Sequence, residues 1–128
     1  MTETEDRPPP SDDRAGFGAL GERIAVRYLT DAGLTVLDRN WRFRRGELDV
    51  VARDGDALVF CEVKARRGTG FGLPAAAVTP DKQARLRRLA LAWLAAHDEH
   101  ARDVRFDVVA VLVAPGRPAR VTHLRAAF

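Results

Sequence analysis

Two apolar stretches of the sequence carry ionised side chains where a buried strand would normally hold aliphatic residues. The first, "LDVVA", holds Asp49, and the second, "ALVFCEVKA", holds Glu62 and Lys64. Burying unpaired charges is costly, so each of them needs an opposite charge or a metal ion close by. Two carboxylates and a lysine are also the groups that could bind a hard divalent cation and direct water at a phosphate ester.

The turn between the two stretches decides whether these charges meet. Side chains alternate along a strand, so Glu62 shares a face with Phe60 and Lys64. By the same rule Asp49 shares a face with Glu47 and Val51. A hairpin loop of two or four residues in "DGD" places Asp49 opposite Glu62, whereas a three-residue loop places it opposite Cys61. We predict the first register. Carboxylates about 5 Å apart repel by roughly 3 kcal/mol at an effective dielectric near 20.

A bound cation would offset that repulsion. The predicted ligands of Mg²⁺ (or Mn²⁺) are Asp49, Glu62 and a backbone carbonyl, assigned to Val63, with water completing the shell. Of the 21 basic residues only Lys64 and Lys82 are lysines. The compact ammonium of Lys64 suits the positioning or activation of water. The alternative is a buried ion pair that binds no metal.

The elements around this hairpin predict a small mixed fold. Residues 16–32 follow a helical period, and Glu22 falls within one of its apolar stripes, so this acid is either covered or reaches out at the edge. The segment "TPDKQARLRRLALAWLAAH" predicts a second helix, capped by Thr79 with Pro80 in its first turn. Apolar runs predict three strands between the helices, the first at an edge, and two after them. We therefore expect a single α/β domain with a mixed central sheet of about five strands flanked by helices.

Three blocks carry a family resemblance: "GELDVVARDG", "LVFCEVKAR" and "VTPDKQARLRRLA". The spacing from Asp49 to Glu62-Val63-Lys64 resembles the PD-(D/E)xK nuclease superfamily. The three blocks in this order are similar to the small bacterial YraN family, which is related in sequence to archaeal Holliday junction resolvases. The resemblance runs from about Gly16 to Leu124.

This resemblance implies a restriction-endonuclease-like core and assigns roles to residues. Asp49 and Glu62 become metal ligands, and Lys64 becomes the catalytic base or water-positioning group. The acid of the first helix, Glu22, joins the site, and Glu47 is an outer ligand or supports one. The proline that gives the superfamily its name is replaced here by Leu48.

Basic residues flank the predicted site and suggest contacts to the phosphates of nucleic acid, preferably DNA. At the start of the second helix, where the helix terminus favours anions, Lys82 and Gln83 are further candidates. Three other arginines of that helix, Arg85, Arg87 and Arg88, are interpreted as an exposed face. The predicted phosphate contacts are Arg42, Arg44, Arg45, Arg66, Arg67, Lys82 and Gln83.

The charge distribution agrees with a polyanionic partner. The net charge is +3, but residues 1–13 hold five acids and one arginine, so the remaining chain carries +7. We predict a disordered acidic, proline-rich tail over residues 1–14 and a folded domain over residues 15–128. No apolar run reaches the length of a membrane span, so a cytoplasmic location is expected. The lone cysteine, Cys61, is expected to be a buried thiol.

These observations favour a Mg²⁺-dependent nuclease that hydrolyses phosphodiester bonds in DNA, with branched or otherwise structured DNA as the candidate substrate. The alternative is a non-catalytic nucleic-acid-binding or adaptor protein of DNA repair or recombination with the same fold. A homodimer or a repair-protein partner is compatible with either function. Another acid in an apolar run, Asp107, is predicted to be a structural partner of Arg105 or of a nearby backbone group, and the alternative is a position near the site.

Overall fold

The computed structural model describes residues 10–68 and 78–128, with side chains from residue 16 onward. Its elements follow the predicted order of helix, three strands, helix and two strands. They are α1 (Pro10–Asp31), β1 (Thr35–Phe43), β2 (Gly46–Asp54), β3 (Ala57–Arg67), α2 (Pro80–His97), β4 (Asp103–Val113) and β5 (Arg120–Leu124). The first helix begins earlier than the helical period of the sequence, at Pro10. Residues 1–9 lie outside the described residues, so the acidic tail stays a prediction.

The five strands form one mixed sheet in the order β1-β2-β3-β4-β5, with β1 at an edge as predicted. Every neighbouring pair is antiparallel except β3 and β4, which are parallel. Parallel neighbours need a long crossover connection, and α2 lies within it. The predicted α/β domain with a five-stranded mixed sheet and flanking helices is confirmed.

Each helix covers one face of the sheet. Along β3, Leu58 and Phe60 pack with α2 on one face, while Val59 and Cys61 pack with α1 on the other. The α2 side is the larger core, and it includes Trp93, which is 1% exposed. The cysteine is buried, as predicted, and burial raises the pKa of its thiol. The sheet is therefore covered on both faces, and charged groups within it must find partners at its ends or between layers.

The start of α2 has the predicted cap. Thr79 Oγ1 accepts a hydrogen bond from the Lys82 backbone N–H at 3.2 Å, and Pro80 occupies the first helical position. This cap fixes where the first turn of α2 begins, and with it the position of the Lys82 side chain. Neither helix in the described part of the chain is long and apolar enough to cross a membrane.

Close contact between α1 and β3 depends on Gly21. A β-carbon at this position would lie 2.5 Å from the β-carbon of Ala65, whereas one at Gly18, in the same helix, would meet nothing within 4 Å. The helix backbone therefore approaches the sheet directly at Gly21.

Alanine substitutions at these two glycines are expected to have opposite effects. Gly21→Ala should lower the free energy of unfolding by about 1–3 kcal/mol, because the added methyl group forces α1 away from β3. Gly18→Ala should raise it by up to about 1 kcal/mol, because alanine is the better helix former. Urea denaturation of both variants measures the difference. Equal changes would show that the close approach at Gly21 does not contribute to stability.

Candidate functional site

The β2–β3 hairpin has the register that the sequence analysis predicted. Its loop consists of two residues, Gly55 and Asp56, and the described pairs run from Asp54 with Ala57 to Val50 with Cys61. Asp49 and Glu62 occupy the next positions beyond the last pair. The alternative register, which places Asp49 opposite Cys61, is excluded.

Strand β2 is irregular at Asp49. Leu48 belongs to the core on the α2 side and Val50 to the core on the α1 side, although residues two apart on a regular strand share a face. The neighbouring edge strand is irregular too, since Asn40 has a φ of +53°. The carboxylate of Asp49 accepts a hydrogen bond from the Val63 backbone N–H, with 2.8 Å between Oδ2 and N. The carboxylate of Asp49 is therefore hydrogen-bonded to the backbone of β3 at the point where the pairing of β2 and β3 ends.

Asp49 lines a pocket of about 770 Å³ on the α1 side of the sheet. Glu22 and Glu47 line the same pocket, in agreement with the prediction that Glu47 shares the face of Asp49. The prediction that Val51 shares this face is wrong, because Val51 packs in the core on the α2 side. Glu22 is buried, so the first of the two alternatives for this acid, a covered side chain, is correct. Its Oε1 lies 3.9 Å from Nη2 of Arg39. The lining residues are Phe17, Gly18, Ala19, Glu22, Asn40, Arg42, Glu47, Asp49, Val63, Ala65 and Arg67.

The surroundings of Asp49 disfavour its ionised form. Burial and the nearby charge of Glu62 raise the pKa of Asp49 to about 7, with smaller contributions from Glu22 and Glu47. The hydrogen bond from the Val63 N–H acts in the opposite direction and does not outweigh them. At neutral pH this carboxyl group is therefore close to half ionised, and a positive charge nearby would complete its ionisation.

The stability of the protein should reflect this raised pKa. In the unfolded chain Asp49 ionises near pH 4. Between about pH 4 and 7 the folded protein therefore binds a proton at Asp49 that the unfolded chain has released. The contribution of Asp49 to the free energy of unfolding is thus full below about pH 4 and is lost as the pH rises through about 7. Asp49→Asn, which keeps an acceptor for the Val63 N–H, should raise the melting temperature by several degrees at pH 8 and have little effect at pH 4.

Thermal melting across this pH range measures the effect. Asp31→Asn is the matched control, because Asp31 is an exposed acid whose contact is to Arg27 on the helix surface. A pH-independent difference between wild type and Asp49→Asn would contradict the raised pKa.

Glu62 lies on the α2 side of β3 and is 6% exposed. Its Oε2 contacts Nζ of Lys82 at 2.6 Å and Nζ of Lys64 at 3.6 Å. Burial lowers the pKa of Lys82, but the contact with Glu62 outweighs it, and the net direction is upward. Both lysines of the chain therefore meet at one carboxylate. Lys82 was predicted to bind phosphate, and its contact with Glu62 was not foreseen.

The predicted residues are thus brought together as two linked groups. Asp49, Glu22 and Glu47 share the pocket on the α1 side, while Glu62 and Lys64 share the α2 side with Lys82. The two groups interact, since Glu62 is the nearby charge with the largest effect on the pKa of Asp49. Within residues 16–68 and 78–128, no three His, Cys, Asp or Glu side chains form a group arranged to hold a metal ion.

The predicted phosphate contacts have different surroundings. Arg42 Nε lies 3.8 Å from Oε2 of Glu47, and Arg67 lines the Asp49 pocket with its guanidinium 4.2 Å from the ring centroid of Phe17. Arg66 is exposed at the end of β3. The amide of Gln83 donates to the Val78 carbonyl at 3.2 Å, so this group is used within the turn before α2. Arg44 and Arg45 line a separate pocket on the α2 side.

The other acid of the apolar runs, Asp107, lies outside this site. It is fully buried on β4, and its two oxygens accept hydrogen bonds from Nε and Nη2 of Arg105 at 2.9 and 3.0 Å. The Ala126 N–H and Nε2 of His123 complete its partners at 2.9 and 2.7 Å. The prediction of a structural partner for Arg105 is confirmed. His123, which the sequence analysis did not single out, is part of the same network.

Comparison with known proteins finds one matching family model and many relatives of the same kind. Residues 21–111 match the model described as "Uncharacterised protein family UPF0102". A UPF0102 protein of Beutenbergia cavernae is 62% identical over 109 residues, covering 85% of this chain and 92% of the relative. One of Nocardia farcinica is 53% identical over 116 residues, covering 91% of each chain. One of Kineococcus radiotolerans is 62% identical over 108 residues, covering 84% and 88%.

Proposed function

The chain belongs to the UPF0102 family, and we propose that it is a metal-dependent nuclease that hydrolyses phosphodiester bonds in DNA, with branched or otherwise structured DNA as the preferred substrate. The observation that carries the proposal is the state of Asp49. Burial and the charges of three further carboxylates, Glu62, Glu22 and Glu47, raise the pKa of Asp49, and arginines line the same pocket. A site that concentrates negative charge beside guanidinium groups suits a divalent cation together with a phosphate.

The donor set matches such a cation in chemistry. Asp49 and Glu62 belong to different groups, but their charges interact where the β2–β3 pairing ends. A cation between them would be held by these two acids and the Val63 carbonyl, with Glu47 as an outer ligand. All of these donors are oxygen atoms, which Mg²⁺ and Mn²⁺ prefer. Asp49 uses Oδ2 for the Val63 N–H, and both lysine contacts of Glu62 are made to Oε2. In the part of the chain that the structure describes, these contacts leave Oδ1 of Asp49 and Oε1 of Glu62 for the cation. Bound there, the cation would supply Lewis-acid stabilisation of the phosphate charge and ease the ionisation of water.

The other residues of the site then take definite roles. Lys64, on the same face as Glu62, orients the attacking water towards phosphorus. Arg42 and Arg67 contact the phosphate oxygens at the mouth of the Asp49 pocket, where they position the backbone without reading the bases. Lys82, which pairs with Glu62, would contact the phosphate as the substrate enters. The likeness of the Asp49 and Glu62-Val63-Lys64 spacing to PD-(D/E)xK nucleases supports these assignments.

A cleavage assay tests the proposal. Linear, flapped and four-way DNA substrates are incubated with Mn²⁺ and the wild-type protein, with Lys64→Ala as the control variant. We expect cleavage by the wild type, fastest on a structured substrate, and strong loss in Lys64→Ala. Cleavage that persists unchanged in Lys64→Ala would assign the activity to something other than this site.

A second candidate function is that of a non-catalytic adaptor that binds nucleic acid or a repair protein. The contact of Lys82 with Glu62 favours it, because a 2.6 Å ion pair neutralises Glu62 without any metal. Calorimetric titration with Mg²⁺ or Mn²⁺ separates the two functions. A nuclease should bind the cation, and Asp49→Asn should remove that binding, whereas an adaptor has no need of it.

A further inference from the structure

A second pocket, of about 690 Å³, lies on the α2 side at the tip of the β1–β2 hairpin. We propose that this arginine pocket, formed by Phe43, Arg44 and Arg45 of the hairpin with Arg85 and Arg88 of α2, binds an unpaired strand of nucleic acid. The proposal rests on the proposed function in that it names the class of substrate. It adds a binding site separate from the Asp49 pocket.

The charged residues that line the pocket are all positive. Four of the described residues that line it are arginines, and none of them is acidic. Arg85 and Arg88 are three residues apart, so they project from the same side of α2. Arg87 has a different environment, with its guanidinium 4.9 Å from the ring centroid of Phe106 and 5.4 Å from that of Phe128. Four arginines around one pocket match the phosphates of a nucleic-acid backbone.

The backbone conformation at the tip of the β1–β2 hairpin is unfavourable for an arginine. Arg44 has a φ of +58° in a two-residue loop, a conformation in which glycine is strongly preferred. Strained backbone of this kind is concentrated at functional sites, where the side chain is required in spite of its conformational cost. The presence of arginine at this position supports a binding role for its side chain.

The hairpin tip is also held directly against α2. A β-carbon at Gly46 would lie 2.8 Å from Cδ1 of Leu89, so the start of β2 touches the helix at this point. This contact fixes Arg44 and Arg45 relative to Arg85 and Arg88. The four arginines are therefore carried by elements that are packed together, so little ordering of the backbone is needed when a ligand binds.

An unpaired strand fits the pocket better than a duplex does. Phe43 is 39% exposed, its ring is stacked with that of Trp41 at 5.5 Å, and the Arg44 guanidinium lies 5.2 Å from its centroid. Unpaired bases stack on aromatic rings and on guanidinium planes, whereas the bases of a duplex are already stacked on each other.

The two pockets lie on either side of the same hairpin tip. Arg42 and Glu47 line the Asp49 pocket, and the residues between them, 43–46, line the arginine pocket. A strand bound in the arginine pocket can therefore continue around the tip to Asp49. This arrangement suits a substrate with a single-stranded arm next to the bond that is cut.

Binding of a labelled oligothymidylate, measured by fluorescence anisotropy over a salt series with EDTA present, tests the proposal. Removing two phosphate contacts in Arg85→Gln/Arg88→Gln should reduce the slope of log affinity against log salt by about 1.4. The matched control is Arg23→Gln/Arg117→Gln, which removes the same charge from exposed positions elsewhere and should leave the slope unchanged. Equal losses in the two double variants, or an equal loss for a duplex of the same length, would overturn the proposal.

A single variant separates binding from folding. Arg44→Gly should weaken oligothymidylate binding and leave the melting temperature unchanged or higher, because glycine accepts the positive φ. A lower melting temperature with unchanged affinity would show that Arg44 is structural. Because EDTA excludes metal chemistry, these results are independent of cleavage. Absent cleavage with the expected loss of binding would reject only the proposed nuclease, and cleavage with unaltered binding would reject only the arginine pocket.

Discussion

Replacement of Glu62 by glutamine is expected to lower the rate of DNA cleavage by about a thousandfold or more. The substitution removes one negative charge from the site and keeps the size of the side chain, so the cation that the reaction requires loses a ligand. The fold should be preserved, because the two lysines that contact Glu62 are each about one-third exposed and can be solvated when their partner is neutral. DNA affinity should change little, since most of it comes from arginine contacts to phosphates.

Single-turnover cleavage of the preferred structured substrate with saturating Mn²⁺ gives the rate, and anisotropy with the same DNA gives the affinity. Glu99→Gln is the matched control, because Glu99 also forms a short ion pair, 2.7 Å to Arg53, in a different part of the protein. The control should cleave at the wild-type rate. If Glu62→Gln cleaved as fast as the control, Glu62 would have no part in catalysis and the adaptor function would be favoured.

Local sequence signals were enough to predict the elements that position Glu62. The two-residue turn at Gly55 and Asp56 determined the hairpin register, and Thr79 with Pro80 determined the start of α2. Both features depend on a few neighbouring residues and on backbone preferences that act over one turn. The helical period also identified Glu22 as an acid on a covered face, which its burial confirms.

The contact between Lys82 and Glu62 could not be predicted in the same way. It depends on how the crossover between β3 and β4 carries the first turn of α2 back over the sheet, which is a property of the whole topology. The two facts that could have indicated it were the rarity of lysine in this chain and the position of Lys82 in a capped first turn. The rarity of lysine was taken to indicate a role for Lys64 in positioning water, and the place of Lys82 in the first turn was taken to indicate a phosphate contact.

The sequence pattern also did not predict the irregularity of β2. Strict alternation assigns Leu48 and Val50 to one face, yet they pack into cores on opposite faces of the sheet. The cause lies in the ladder, where Asp49 takes the Val63 N–H and the neighbouring Asn40 adopts a positive φ. Because of this irregularity Asp49 faces the α1 pocket, and the carboxylates are divided between two linked groups.

The exposure of the α2 arginines was predicted correctly, but their neighbours were not predicted. Arg85, Arg87 and Arg88 are all exposed, as a polar helical face should be. Their neighbours differ, because Arg87 lies over the rings of Phe106 and Phe128 while the other two line the arginine pocket. The periodicity of one helix cannot identify these neighbours, since they come from β4, the chain terminus and the β1–β2 hairpin.

Replacement of Asp107 by alanine is expected to give the largest loss of stability, about 3 kcal/mol in the free energy of unfolding. Asp107 is fully buried, and its removal leaves the Arg105 guanidinium, the Ala126 N–H and the His123 ring without their shared acceptor. Breaking a buried ion pair by deleting one partner typically costs about 3–5 kcal/mol. The lower end applies here, because Arg105 keeps a second contact, 3.0 Å from Nη2 to Oδ2 of Asp54. The melting temperature should fall by about 10 °C or more.

The pH dependence of this loss distinguishes a lost ion pair from a simple cavity. Burial alone would raise the pKa of Asp107, but hydrogen bonds from Arg105, Ala126 and His123 outweigh it and hold the pKa below its ordinary value. The stabilisation is therefore complete above about pH 4, where aspartate ionises in the unfolded chain, and is lost as the pH falls through the lower pKa of the folded protein. Thermal melting of wild type, Asp107→Ala and the control Asp103→Ala, an exposed acid on the same strand, should show a gap that narrows only below about pH 4. A gap that stays constant down to pH 2 would mean that lost packing, and not lost charge pairing, causes the destabilisation.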